Sequence, residues 1–140
     1  MPLFKWTKAH AVFVPEIDAQ HRNLFQMADE LHHAIIGGAE PSRTLELLRT
    51  LIAGAEEHFA YEERLMRSMQ YSSYTWHKNQ HDTVRKRINH FVPQIESGDS
   101  EAAALLLEFL AGWLKDHTGL TDRMLGAYVR NQYRFQALAS

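Results

Sequence analysis

The chain has 140 residues, enough for one domain with a continuous core, and its formal net charge of −2 gives no reason to expect nucleic acid or an anionic membrane as partner. It contains no cysteine, which excludes disulfides, zinc–thiolate sites, iron–sulfur ligation and thiol catalysis together. Hydrophobic residues make up 45% but fall in runs too short to span a membrane, and the first residues, with Lys5, Lys8, Glu16 and Asp18, lack the apolar stretch of a signal peptide; a cytoplasmic protein is expected.

Residues 1–17 read as an irregular N-terminal arm, with Phe4, Trp6, Phe13 and Val14 available to pack against the helices. A first helix is predicted from the i, i+3, i+4, i+7 stripe of Leu24, Phe25, Ala28, Leu31 and Ile35, with Asp18 as N-cap and Gly37-Gly38 as its stop. Pro41 and Ser42 open a second helix, whose stripe is Leu48, Leu51, Ile52, Ala55, Phe59, Leu65, Met66 and Met69. Tyr71-Ser72-Ser73 supplies a turn, with Ser73 as a cap. The third helix carries Val84, Ile88, Phe91, Val92 and Ile95; Pro93 predicts a kink or early end before Gly98. Asp99 or Ser100 caps a fourth helix with Ala103, Leu106, Leu107, Leu110 and Leu114 on one face. No strand alternation or internal repeat is evident. Four long amphipathic helices with short connections predict an all-α, antiparallel up-down-up-down four-helix bundle. The bundle is expected over about residues 18–132, with the chain fraying from about residue 128 into a C-terminal tail.

Nine histidines are roughly three times what ordinary composition gives, and histidine is the commonest metal ligand. His21 extends the row of Leu24, Phe25 and Ala28, and His58 and Glu62 continue that of Leu51, Ala55 and Leu65. His77 and His81 run with Val84 and Ile88, and His117 follows Leu110 and Leu114. Leaving these core-facing groups unpaired would cost about 1–3 kcal/mol each, a total comparable with the stability of a whole domain. In an antiparallel bundle all six also fall in one layer at one end: early in the first and third helices, late in the second and fourth. His58-x3-Glu62 and His77-x3-His81 each share a helical face. Asp122 stands five residues after His117, about 140° off that face, so its participation requires a break or bulge near Thr118-Gly119. Of the remaining histidines, His10, His32, His33 and His90 read as surface residues. The pairs Glu56-Glu57 and Glu62-Glu63 read as solvated face, with Glu62 alone turned inward.

Imidazole and carboxylate without thiolate suit iron, zinc, copper or manganese. Two six-coordinate ions offer twelve positions. Five imidazoles, two bridging carboxylates and one bridging oxide or hydroxide leave a single vacancy, suited to one small diatomic molecule.

The residues that carry this pattern resemble the hemerythrin family, in particular its bacterial single-domain members. The likeness runs from Trp6 through Ile17-Asp18-Ala19-Gln20-His21, His58-Phe59-Ala60-Tyr61-Glu62-Glu63, Gln70-Tyr71 and His77-Lys78-Asn79-Gln80-His81-Asp82 to Trp113-Leu114-Lys115-Asp116-His117 and Asp122. The resemblance implies two iron ions joined by an oxo or hydroxo bridge. His77, His81 and His117 would hold the saturated ion, His21 and His58 the ion with the vacancy, and Glu62 and Asp122 would bridge. It also implies reversible dioxygen binding, in which each ferrous ion gives one electron and no substrate is consumed. Leu114, Thr118, Phe59 and Trp113 would wall the oxygen pocket.

Two positions depart from the family's pattern. Thr118 replaces the usual isoleucine and brings a hydroxyl towards the vacancy, where it would stabilise bound dioxygen or assist proton delivery. Leu125 replaces a frequent tyrosine, for which Tyr128 or Tyr61 are the substitutes. The competing functions are a diiron redox enzyme handling peroxide or nitric oxide and a structural zinc bundle. Two carboxylates give the metals less anionic support than the carboxylate-rich sites of ferritin-like oxidases, which favours an oxygen-binding protein over an enzyme.

Overall fold

The computed structural model describes the backbone of residues 4–139 and the side chains through residue 138. After a short 3-10 turn at Lys8–His10, the helices are α1 (Pro15–Ile36), α2 (Pro41–Ser68), α3 (Tyr74–Glu96), α4 (Ser100–Asp116) and α5 (Asp122–Ala139). A π-helical turn, His117–Thr121, joins α4 to α5, so the two act as one long fourth helix. Each helix packs against the next and α1 closes against α4, giving the antiparallel four-helix bundle.

Three helix stops use the same device. At Gly38 (φ +72°) and Gly98 (φ +82°) the chain turns left-handed, and the residue after each glycine donates its N–H back into the last turn, Ala39 to the Ala34 carbonyl and Asp99 to that of Gln94. Gln70 does the same at φ +53° without being a glycine, with Tyr71 N–H bonded to the Met66 carbonyl. Asp99 caps α4 by accepting from Ala102 N–H at 3.1 Å.

Several expected boundaries are corrected. The first helix begins at Pro15, not after Asp18, because proline suits the first helical position. Asp18 lies in the first turn, buried against the arm, its carboxylate accepting from Val12 N–H at 2.8 Å and Phe13 N–H at 3.1 Å. Those bonds anchor the arm, and Arg130 and Arg123 reinforce them by donating to the Val12 and Ala9 carbonyls, each at 2.7 Å. Pro93 does not end α3, which continues to Glu96: lacking an N–H it forgoes only its own bond to the carbonyl four residues back, and its carbonyl still accepts from Ser97 N–H at 3.1 Å. The chain does not fray from residue 128 either: α5 stays helical to Ala139, with Tyr133, Phe135 and Leu138 exposed.

The core is divided in two. A large cluster including Leu24, Leu48, Leu51, Phe59, Ile88, Leu106, Leu110 and Leu114 fills most of the bundle. A smaller one, Val12, Val14, Ile17, Met66, Tyr71, Leu125 and Val129, seals the end next to the arm. Between the two clusters lies the layer that carries the buried histidines.

Candidate metal centre

His21, His58, Glu62, His77, His81, His117 and Asp122 form a buried polar layer between the two apolar clusters, none more than 4% exposed. The layer forms because helical spacing turns each residue inward at the same height of the bundle. The exception to α-helical spacing is resolved by the π turn. Asp122 N–H donates to the His117 carbonyl, five residues back, so the widened turn brings Asp122 over His117.

Asp122 sits at the middle of the layer. Its Oδ2 is 2.6 Å from His21 Nε2, 2.7 Å from His117 Nε2 and 3.0 Å from His58 Nε2, while Oδ1 is 3.0 Å from His77 Nε2. Glu62 Oε1 faces it, 3.0 Å from His81 Nε2, 3.2 Å from His77 Nε2, 3.4 Å from His58 Nε2 and 3.5 Å from His117 Nε2. The donor atoms fall into two overlapping groups: His21, His58, Glu62, His117 and Asp122, and Glu62, His77, His81, His117 and Asp122. Both carboxylates and His117 belong to each.

Three observations fit this layer to metal. The Nε2 atoms of His58 and His117 stand 3.2 Å apart, so two ring nitrogens of this acceptor-rich set are aimed at one point. Glu62 Oε2 is buried with no hydrogen-bond partner. Two histidines are also oriented from behind: His58 Nδ1–H donates to Gln20 Oε1 at 2.6 Å and His81 Nδ1–H to Glu63 Oε2 at 2.9 Å, leaving Nε2 of each as the ligand atom.

The charges point the same way. Burial lowers the proton affinity of His117, but Asp122 and Glu62 overcome it and push its pKa up to about 10. The same contest, burial against Asp122 and Glu62, leaves His77 raised to about 9. Burial wins at His21 and His81, which are lowered. Burial also works against ionisation of both carboxylates, yet the surrounding imidazoles hold Glu62 and Asp122 well below the usual carboxylate range. Two anionic carboxylates thus draw positive charge into the layer, and protons on His77 and His117 occupy places that cations would take.

A protein-family model for the hemerythrin HHE cation-binding domain matches residues 12–129. This chain belongs to the hemerythrin family. Curated bacteriohemerythrins agree: that of Aquifex aeolicus is 29% identical over 76% of this chain and 82% of its own length. That of Clostridium acetobutylicum is 26% identical over 86% and 97%. Among solved structures, two mutant proteins, one described as a hemerythrin, match with a TM-score of 0.83 at 27% identity, covering 91% of this chain and 97% of theirs. The domain therefore carries a buried layer of imidazole and carboxylate donors able to hold metal, in a family named for binding cations.

Around that layer, Phe59 stacks on His81 with ring centroids 4.2 Å apart and planes 21° from parallel, and Trp113 lies edgewise to Phe59 at 5.8 Å. Leu114 is buried one turn before His117. It also lines a crevice of about 290 Å³ beneath the arm, shared with Phe4, His10 and Phe25.

Three readings of the hemerythrin sequence need correction. Glu63 is buried rather than solvated. It points into the α2–α3 seam, where His81 Nδ1 and Arg85 both donate to it. Thr118 is fully buried, but its hydroxyl donates to the Leu114 carbonyl at 2.6 Å, so its one proton is already committed. Neither tyrosine takes the place that Leu125 leaves, for Tyr128 donates to the Met69 carbonyl and Tyr61 turns to Glu16. Gln20 and Glu63 are the supporting residues that sequence reasoning does not single out. Both adjoin a ligand in sequence, but adjacency gives no direction, because neighbours on a helix differ by about 100°.

Proposed function

We propose that this domain holds two iron ions and binds dioxygen reversibly, as an oxygen carrier, store or sensor rather than an enzyme. In this reading Glu62 and Asp122 bridge the ions, His77, His81 and His117 complete one, and His21 and His58 serve the other. The observation that carries it is the overlap of two five-residue donor groups at the same two carboxylates. A single ion would leave two of the five imidazoles without a metal. When bound, two ferrous ions would supply the two electrons with which dioxygen is held and would take them back on its release.

The chain's own residues set the conditions. Three imidazoles on one side and two on the other leave the His21/His58 side one ligand short. Gln20 and Glu63 fix the rings of His58 and His81, so neither can swing away when a small molecule enters. Phe59, Trp113 and Leu114 supply apolar walls that keep water and protons from the centre. The Thr118 hydroxyl, engaged with the Leu114 carbonyl, brings no free proton to it.

The test is anaerobic reduction of iron-loaded protein, then exposure to air, watched by visible absorption. Colour should appear on oxygenation and vanish on deoxygenation through repeated cycles. Steady consumption of reductant, with no return of the colourless form, would instead identify a redox enzyme. Retention of zinc alone after expression in iron-replete medium would reduce the centre to a structural one.

A further inference from the structure

Away from the central layer, a second set of ligating side chains comes together on α1. Asp29, His32 and His33 occupy positions i, i+3 and i+4 of one turn, so they project from neighbouring points of the helix surface. One donor atom from each lies within 4.8 Å of the other two. Asp29 Oδ1 and His32 Nδ1 are both shielded from solvent without a hydrogen-bond partner. His33 Nε2 lies 3.7 Å from Asp29 Oδ1, and the His33 side chain, 66% exposed, keeps the group open to solvent. The His32 ring is held edge-on by Phe4 of the arm, with centroids 5.9 Å apart. Eleven residues separate His32 from His21, roughly 16 Å along the helix axis, so this group is separate from the iron-binding layer.

Two shielded polar atoms without hydrogen-bond partners, on residues whose donors gather within 4.8 Å of one another and of His33, form an unusual arrangement on a helix surface. We propose that Asp29, His32 and His33 form a second, shallow site for a borderline divalent cation, with zinc as the ion its donors fit best. Two imidazoles and a carboxylate, with a water completing the set, match zinc sites that have three protein ligands. Magnesium and calcium prefer all-oxygen donors and do not suit two imidazoles. On a tetrahedral zinc with bonds of about 2.0–2.1 Å, neighbouring donors stand about 3.3–3.4 Å apart. The observed 3.7 Å closes to that with a small side-chain rotation. The site faces solvent, so its ion exchanges freely, and nothing in it depends on the dioxygen reading.

Iron-loaded full-length protein should be brought to equilibrium dialysis against increasing zinc, counting zinc and iron separately. About one zinc per chain is expected above the metal of the central layer, with iron retained and the visible spectrum unchanged. His33→Ala and Asp29→Asn should each weaken that binding about tenfold or more, the scale of a disrupted ligand set. Both should leave iron content and zinc-free melting as in the parent, since His33 is exposed and asparagine keeps the shape of Asp29. Zinc that enters only by displacing iron, a failure to take up zinc, or an extra zinc indifferent to both substitutions would each overturn the site.

Discussion

Asp122→Asn tests the centre most directly, because it keeps the side chain's shape and removes only its charge. Four histidine Nε2 atoms lie between 2.6 and 3.0 Å from this carboxylate, more than contact any other side chain of the layer at that range. In the metal-free protein the substitution leaves the positive charge on His117 and His77 facing Glu62 alone. Breaking a buried charge pair from one side costs about 3–5 kcal/mol. For a domain of this length that lowers the melting temperature on the order of 10–20 °C. In the loaded protein one of two bridges is lost, so retained iron should fall to about one ion per chain or less. Differential scanning calorimetry of stripped protein and metal analysis of desalted loaded protein measure the two effects. If the variant kept both ions with the parent's absorption, and its stripped form melted within about 2 °C of the parent, Asp122 would neither bridge nor anchor, and the role of the π turn would be wrong.

Thr118→Val should cost about 0.5–1.5 kcal/mol by removing the bond to the Leu114 carbonyl. It should also loosen Asp122 through the turn and lower retained iron, and iron held as tightly as in the parent would show that the hydroxyl does not support the turn. Gly126→Ala places a Cβ 2.7 Å from the Val12 carbonyl, which is itself held by Arg130. Chemical denaturation should register a loss of about 1–3 kcal/mol despite alanine's better helix propensity, whereas a gain would mean that the arm yields easily. The metal-free protein should also have a stability optimum in pH. His77 and His117, raised to about 9 and about 10, contribute fully below their ordinary 6.5 and lose that contribution as pH climbs through those values. His21 and His81, lowered, contribute above 6.5 and lose it as pH falls. Melting temperatures of stripped protein should therefore drop towards both pH 10 and pH 5, and loading with metal should flatten the alkaline limb.

Much of this molecule is legible in the sequence because α-helical periodicity carries both the core and the ligands. Where Leu24 and Phe25 must face inward, His21 must as well, and the antiparallel order of helices then fixes its height relative to His58, His77 and His117. What stays illegible is whatever departs from that period or lies one step beside it. Asp122 is placed by an i→i+5 bond that spacing demands but cannot reveal. Glu63 is displaced by about 100° from Glu62 and reads as solvated, until the partner helix is seen to bring His81 Nδ1 and Arg85 to it. The Thr118 hydroxyl has two possible directions from sequence alone, and the local backbone chooses the Leu114 carbonyl.

One irregularity links the cases of Asp122 and Thr118. A uniform α-helix through residues 114–125 would turn Asp122 away from the bundle axis. The π turn reverses that outcome and brings Asp122 inward to the four imidazoles, while on the N-terminal side of the widened turn the Leu114 carbonyl accepts from both the His117 N–H and the Thr118 hydroxyl. The Thr118 hydroxyl thus braces the helix where the wide turn begins. A substitution there should first disturb the position of Asp122, and only through it the chemistry of the centre. Thr118→Ser, which keeps the hydroxyl, should hold iron as the parent does. A serine variant that lost iron as readily as the valine variant would show that the methyl group, rather than the hydroxyl, supports the turn.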